Sequence, residues 1–112
     1  MITSNSNAQV KRLLQLQKKS KARNEEQVFL VEGLRMFLEV PTERVQKVYI
    51  SETLYNKKKQ ELDLSRFSVE ILSDTVFQYV SDTKTPQGIL CIVEQQKYDI
   101  NEILKYFYNL YF

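Results

Sequence analysis

The 112-residue chain has no histidine and no tryptophan, and only one cysteine, two prolines and two glycines. Without histidine, Ser-His-Asp and Cys-His catalysis and His-ligated metal sites are excluded. A lone Cys91 can form no internal disulfide, which fits a reducing cytoplasm, the expected location. Its setting in Ile-Leu-Cys-Ile-Val marks it as a small core residue rather than a nucleophile. That aliphatic stretch, residues 89–93, is also the longest in the chain and is far too short to span a bilayer. The N-terminal Met-Ile-Thr-Ser-Asn-Ser-Asn is polar and lacks the apolar core of a signal peptide, so no membrane partner is expected. Asn-Gly and Asp-Gly, the strongest hairpin dipeptides, do not occur.

Acidic residues are missing from one region as well. Residues 1–24 hold six basic side chains, Lys11, Arg12, Lys18, Lys19, Lys21 and Arg23, and no Asp or Glu. The remaining 88 residues carry a net charge of −4, so the overall +2 hides a cationic segment on a slightly acidic body. A concentrated basic patch creates a local field that favours polyanions, nucleic acid first among them. A solubilising helix face would look the same by charge alone. Docking on a membrane or an acidic protein is the weaker reading, because the apolar face of that helix is needed for the core.

What is abundant is material for a core. Hydrophobic residues make up 43% of the chain, with thirteen Tyr and Phe, as in one packed domain. Asn7 is a good N-cap, and the helix after it places Val10, Leu13, Leu14 and Gln17 on one stripe, with Lys11, Arg12, Lys18 and Lys19 opposite. The helix should end near Lys19 and give way to a basic loop. Strands are expected over residues 28–31, 45–50, 68–72 and 88–94. Helices are expected from Gly33 to Pro41, over 52–62, and over 74–80. The Lys57-Lys58-Lys59 run then falls on the solvated side of an unrelated helix. The alternating order predicts an α/β fold, a sheet covered by helices on both faces, with mainly parallel pairing through βαβ crossovers. Ser-Asp-Thr recurs at 73–75 and 81–83, first as a helix cap and then as a loop opening.

Both glycines stand beside strands. Gly33 follows Phe29-Leu30-Val31-Glu32 and opens a helix with Arg35 in its first turn. Free backbone N–H groups next to a guanidinium make a phosphate seat. The glycine serves equally to permit the turn, with Glu32 pairing with Arg35 or capping the helix. Gly88 ends the polar loop Thr83-Lys84-Thr85-Pro86-Gln87, whose proline suits a β-turn. Those side chains can meet an RNA backbone or base, or simply close the turn.

Several segments carry a family resemblance in register over roughly residues 2–95: Ile2-Thr3-Ser4 with Asn7 and Val10-Lys11; Phe29-Leu30-Val31-Glu32-Gly33-Leu34-Arg35; Val48-Tyr49-Ile50-Ser51; and Ser81-Asp82-Thr83-Lys84-Thr85-Pro86-Gln87-Gly88-Ile89-Leu90. The pattern resembles the N-terminal substrate-binding domain of SpoU/TrmH-type RNA ribose 2′-O-methyltransferases. The resemblance implies a three-layer α/β/α sandwich akin to kink-turn-binding ribosomal proteins, with RNA-facing loops at one end of the sheet. It implies structured RNA, ribosomal or transfer, as partner and a homodimeric intact enzyme. The RNA-binding candidates are Lys11, Arg12, Lys18, Lys19, Arg23, Glu32, Gly33, Arg35, Lys84, Thr85 and Gln87. Arg35 is expected to matter more than Lys57.

The family's Asp-Pro-x-Asn-x-Gly, Gly-x-Glu and Ile-Pro-x-x-Gly motifs have no counterpart here. Residues 1–96 are therefore expected to form the RNA-binding domain. Residues 97–112 are expected to be the linker and the start of a C-terminal knotted domain holding S-adenosylmethionine and the catalytic residues. No catalytic residue, metal or cofactor is expected within the 112 residues, which alone should be inactive. A complete, non-enzymatic RNA-binding protein of the ribosomal type is the alternative. At the C-terminal end, Asp99 and Glu102 form a capping-box pattern before a helix from about Ile100. The aromatic residues 106–112 favour a strand, with Leu110 to Phe112 entering the missing domain's sheet in the intact protein; without that domain the segment frays, extends the helix or, as favoured, packs on a neighbouring molecule.

Overall fold

In the computed structural model, which describes residues 1–95 and 100–111, a four-stranded sheet carries helices on both faces. The chain opens with Ile2 bridged to Leu72, then helix α1 (Ala8–Lys18) begins under the side-chain oxygen of Asn7, which accepts from Gln9 N–H at 2.8 Å. Val10, Leu13 and Leu16 are fully buried, whereas Leu14 and Gln17 of the expected stripe are only half-buried. Leu16, three residues after Leu13, joins the same core on the sheet, and a second helix, α2 (Ser20–Glu26), packs beside α1. The basic loop expected after Lys19 is thus a helix. Lys19 is extended, and the turn it makes restarts the helix at Ser20. α2 ends at Gln27, in the left-handed region at φ 57°.

The strands are β1 (Val28–Glu32), β2 (Val45–Ser51), β3 (Val69–Leu72) and β4 (Ile89–Glu94), in the order β1-β4-β2-β3. Helix α3 (Leu34–Glu39) and a 3₁₀ turn at Thr42–Arg44 connect β1 to β2. α4 (Glu52–Lys58) connects β2 to β3, and α5 (Asp74–Val80) follows β3. β2 pairs parallel with β3, but β4 pairs antiparallel with both β1 and β2. The mainly parallel sheet expected from the alternating elements is therefore mostly antiparallel. Strands β1, β2 and β3 do run the same way; β4 is inserted between β1 and β2 against that direction.

The physical reason lies in α5. Its first residue, Asp74, bonds Thr53 just past the end of β2, and Ser81, just past its last residue, bonds Glu32 at the end of β1. Both ends of α5 therefore lie at the C-terminal end of β1–β3. Helix length does not decide this, since α4 is equally long and joins the parallel pair β2 and β3; the bonds at both ends of α5 keep the chain at this end of the sheet. β4 must start where β3 ended, and so runs backwards.

β4 is buried from Ile89 to Val93, and its side chains alternate between two cores. Leu90 and Ile92 join Val10, Leu13, Leu16, Val76, Phe77 and Val80 under α1 and α5. Ile89, Cys91 and Val93 join Val31, Phe37 and Val48 on the opposite face, where the Phe37 and Phe67 rings meet at 5.3 Å. A strand covered on both faces needs the unbroken apolar run the sequence shows there. No helix among the described residues is long and apolar enough to cross a membrane. Helix α6 (Ile100–Tyr111) runs through the aromatic segment, so the strand expected from residue 110 is helical up to Tyr111. The Asp99 cap and Phe112 lie outside the described residues.

Candidate functional site

The C-terminal end of β1–β3 gathers polar side chains from four elements. The Glu32 carboxylate accepts hydrogen bonds from the Ser81 hydroxyl, from Asp82 N–H at 3.2 Å and from Gln17 Nε2 at 3.4 Å. Gln17 Nε2 also donates to the Val80 carbonyl at 3.0 Å. Glu32 therefore neither pairs with Arg35 nor caps α3; it fastens the loop after α5 to β1 and α1. Arg35 instead faces Glu39 at 3.8 Å, with 92% of its side chain exposed.

Both glycines are required by geometry. Gly88 has φ 102°, and a Cβ there would lie 2.4 Å from Ser51 Oγ and 3.1 Å from Leu54 Cβ. Its carbonyl accepts from Ser51 N–H at 2.8 Å, while Ser51 Oγ caps α4 by accepting from Leu54 N–H at 3.2 Å. Gly33, at φ 107°, donates its N–H to the Ile89 carbonyl at 3.0 Å. The phosphate seat expected at Gly33 is partly filled from within. Gln87 Oε1 accepts the first helical N–H, that of Leu34, at 2.8 Å. With its oxygen held, Gln87 turns its Nε2 donors outward, and they meet no acceptor among the described residues.

Two open clefts flank Gln87. The first, of about 420 Å³, is lined by Glu32, Gly33, Asp82, Thr83, Thr85 and Gln87. The second, of about 370 Å³, lies toward α4 and α5 and includes Thr53, Leu54, Lys57, Pro86, Gln87 and Gly88. The structure thus brings together Glu32, Gly33, Thr85 and Gln87 from the sequence candidates. Arg35 and Lys84 lie on the same two segments but line neither cleft. Sequence reasoning singled out the Thr83 loop but missed Asp82, and it set Lys57 apart. The Ser51 and Ser73 caps were a usable signal: each is a Ser at a strand-to-helix junction, which puts the start of its helix at this end of the sheet.

The N-terminal basic cluster does not converge on the clefts as one face. Arg12 pairs with Glu26 at 2.5 Å, and Arg23 donates to the carbonyls of Leu16 and Gln17 at 2.7 and 3.2 Å, closing the end of α1. Lys11, Lys18 and Lys19 are exposed and have no acidic partner among the described residues. Of these, Lys18 follows Gln17, which reaches the Glu32 bracket, so the end of α1 borders the site.

Reactive groups sit elsewhere. Cys91 is buried in the central strand, and burial pushes its thiol up to about 12, out of reach as a nucleophile. Tyr49 is buried beneath α1, where desolvation raises its hydroxyl above the usual range against the opposing pull of Arg12; the hydroxyl donates to Gln9 Oε1 at 2.8 Å. No group of three or more candidate metal ligands occurs among the described residues.

The MRM3-like substrate binding domain family matches residues 7–91. The chain belongs to that family. No curated protein matches it by sequence. Among solved structures it is similar to an AdoMet-bound rRNA methyltransferase from Sinorhizobium meliloti, with TM-score 0.68 and 20% identity over 90% of this chain. An RNA 2′-O ribose methyltransferase superposes equally well, with TM-score 0.68 and 20% identity over 88% of this chain. The SpoU methyltransferase AviRb from Streptomyces viridochromogenes, in complex with AdoMet, gives 0.64 and 16% over 87%. At these identities the likeness establishes a shared fold. The chain spans only 38%, 39% and 38% of those three proteins.

Proposed function

We propose that this domain holds structured RNA, ribosomal RNA first among candidates, for a SpoU/TrmH-type ribose 2′-O-methyltransferase. The observation that carries the reading is the match to a substrate-binding domain over residues 7–91, combined with a polar sheet end built by the matched segments themselves. The RNA-facing surface comprises the Gly33–Arg35 turn, the Thr83–Gly88 loop with Lys84, Thr85 and Gln87, and the end of α1 with Lys18 and Lys19. Loops held by a rigid sheet are the usual place for such contacts.

The methyl donor belongs to another part of such an enzyme. The described residues do not fit S-adenosylmethionine: the Gly33 N–H bonds Ile89, the Leu34 N–H is taken by Gln87, and the Glu32 carboxylate already accepts three hydrogen bonds. No step of methyl transfer is assigned to them. On α6, Leu104 and Leu110 are each 58% exposed, an apolar surface that favours docking on the rest of the enzyme or on a second copy.

The test is binding of the chain to transcribed ribosomal RNA fragments over a range of salt. Electrostatic recognition gives a linear fall of log K with log salt, by about 0.7 to 0.9 per phosphate contact. Binding that is absent at low salt, or independent of salt, rejects the reading. Calorimetry with S-adenosylmethionine should show no binding; micromolar affinity would overturn the division of labour.

A further inference from the structure

We propose that the cleft between Gln87 and α4 receives one unpaired nucleotide of the bound RNA, with Lys57 on its phosphate and the Gln87 amide donating to its base or sugar. The proposal rests on the RNA-binding reading and gives it a site on a helix that the sequence sets apart from it.

Three observations carry it. Lys57 is the one basic side chain lining either sheet-end cleft among the described residues. Unlike Lys58, which pairs with Glu61 at 3.0 Å, it has no acidic partner among them. Asp74, the carboxylate in the same cleft, is already engaged, accepting the hydroxyl of Thr53 at 2.5 Å and its N–H at 3.1 Å. Both Asp74 oxygens are thus occupied by donors, whereas the Lys57 ammonium keeps its own donors for a ligand, and an anionic group such as a phosphate suits them.

The second observation is Gln87. Its carbonyl oxygen is fixed on Leu34 N–H, so the side chain stands as a ridge between the two clefts with its Nε2 donors free. A pinned amide loses little freedom on binding, and the groups it leaves without any partner among the described residues are its Nε2 donors. Carbonyl and ring-nitrogen acceptors of a base, or a ribose oxygen, match it.

The third is shape. The cleft measures about 370 Å³, at the lower end of small-ligand sites, with Leu54, Phe77 and Pro86 giving it apolar walls. A paired RNA helix hides its base edges in a groove too narrow for side chains, whereas an unstacked nucleotide can enter a pocket. The first cleft is the poorer seat for a phosphate, because it carries two carboxylates, Glu32 and Asp82, and no basic side chain, whereas the second sets Lys57 beside the single carboxylate of Asp74.

The experiment uses the full chain and a fluorescently labelled RNA stem carrying one unpaired nucleotide, prepared with each of the four bases. The fully paired stem serves for comparison. By fluorescence anisotropy the wild type should prefer a bulged stem. Lys57→Ala should weaken that binding roughly five- to tenfold, abolish the preference, and lower the salt slope by about 0.7 to 0.9. Lys57→Arg should retain most of the affinity. Lys59→Ala, an exposed lysine lining neither cleft, should match the wild type. Gln87→Glu keeps the acceptor for Leu34 but loses the donors, so it should melt like the wild type and bind the bulged stem more weakly. If Lys57→Ala and Lys59→Ala behave alike while the wild type binds RNA, this site is wrong and the RNA-binding reading stands. If the wild type binds neither stem, both fall.

Discussion

The α1–α2 corner and the sheet end hold opposite shares of charge and of available chemistry. The corner contains the cationic segment that dominates the sequence, yet Arg12 is matched to Glu26 and Arg23 is turned inward onto helix carbonyls. The sheet end has few cations, but two of its acids are bonded to neighbouring hydroxyls. Glu32 is bonded with Ser81, Asp74 with Thr53, and Ser51 and Ser73 each cap a helix. That internal bonding holds the two segments around Gln87 in place and leaves Gln87 and Lys57 facing outward. A charge counted in sequence is thus a poor guide to a charge free to bind. The corner is mainly a brace, with Lys11, Lys18 and Lys19 as its exposed remainder.

Substitutions can break this contrast at graded cost. Gly88→Ala should have the largest effect, because the new Cβ would meet Ser51 Oγ at 2.4 Å in a backbone region unfavourable to L-residues. A loss of about 3 kcal/mol or more in denaturant unfolding is expected. Gly33→Ala should lose less, about 1–2 kcal/mol, since its neighbour at 3.2 Å is the movable Gln87 amide oxygen. Equal losses would mean that the sheet end is not organised around the Ser51–Gly88 approach.

Glu32→Ala comes next. It removes the acceptor for Ser81, the Asp82 N–H and Gln17 together, and about 2 kcal/mol of stability should go with it. Amide hydrogen exchange should quicken in the 81–88 loop; unchanged protection there would show that the loop is held by other means.

In the corner, Arg23→Ala should lower stability by about 1–1.5 kcal/mol through two lost carbonyl bonds. The double variant Lys18→Ala/Lys19→Ala should stay within about 0.5 kcal/mol of wild type and flatten the salt dependence of RNA binding instead. Thermal melting and binding titrations on both variants separate the two roles. If Arg23→Ala changed only the RNA affinity, the brace assignment would fail.

A last effect is absent at neutral pH and confined to alkaline pH. The Cys91 thiol is raised from 9.0 to about 12 in the folded chain, so the unfolded chain loses that proton first. The contribution is present in full below pH 9 and declines by roughly 1.4 kcal/mol per pH unit as pH rises toward 12. Tyr49, also raised, adds a slope of the same sign. Cys91→Val should therefore reduce, without abolishing, the fall in stability above pH 9. An unchanged slope would mean the thiol titrates as though exposed.

Local pattern alone determined most of the elements. The caps at Asn7 and Ser73, the apolar run of β4 and the period of Asp74–Val80 lie where neighbouring residues put them, because capping and burial period are short-range properties. The segments around Gly33 and Gly88 were legible as a pair for the same reason, and the family match covers both. Tertiary structure decided what depends on distant residues. The direction of β4 follows from where α5, bonded at its two ends to Thr53 and Glu32, sets the chain down, and no local period encodes that. The burial of Leu16 came from the core it shares with Val28, Leu90 and Ile92, residues far from it in the chain. Which cations stay free depended on pairings such as Arg12 with Glu26, fourteen positions apart in the chain. Lys57 reached the clefts only because β2 and β4 lie side by side, carrying α4 up against Gln87 and Gly88. Charge and hydrogen-bonding capacity are written residue by residue, but their cancellation is set by three-dimensional proximity, which only the packed chain defines.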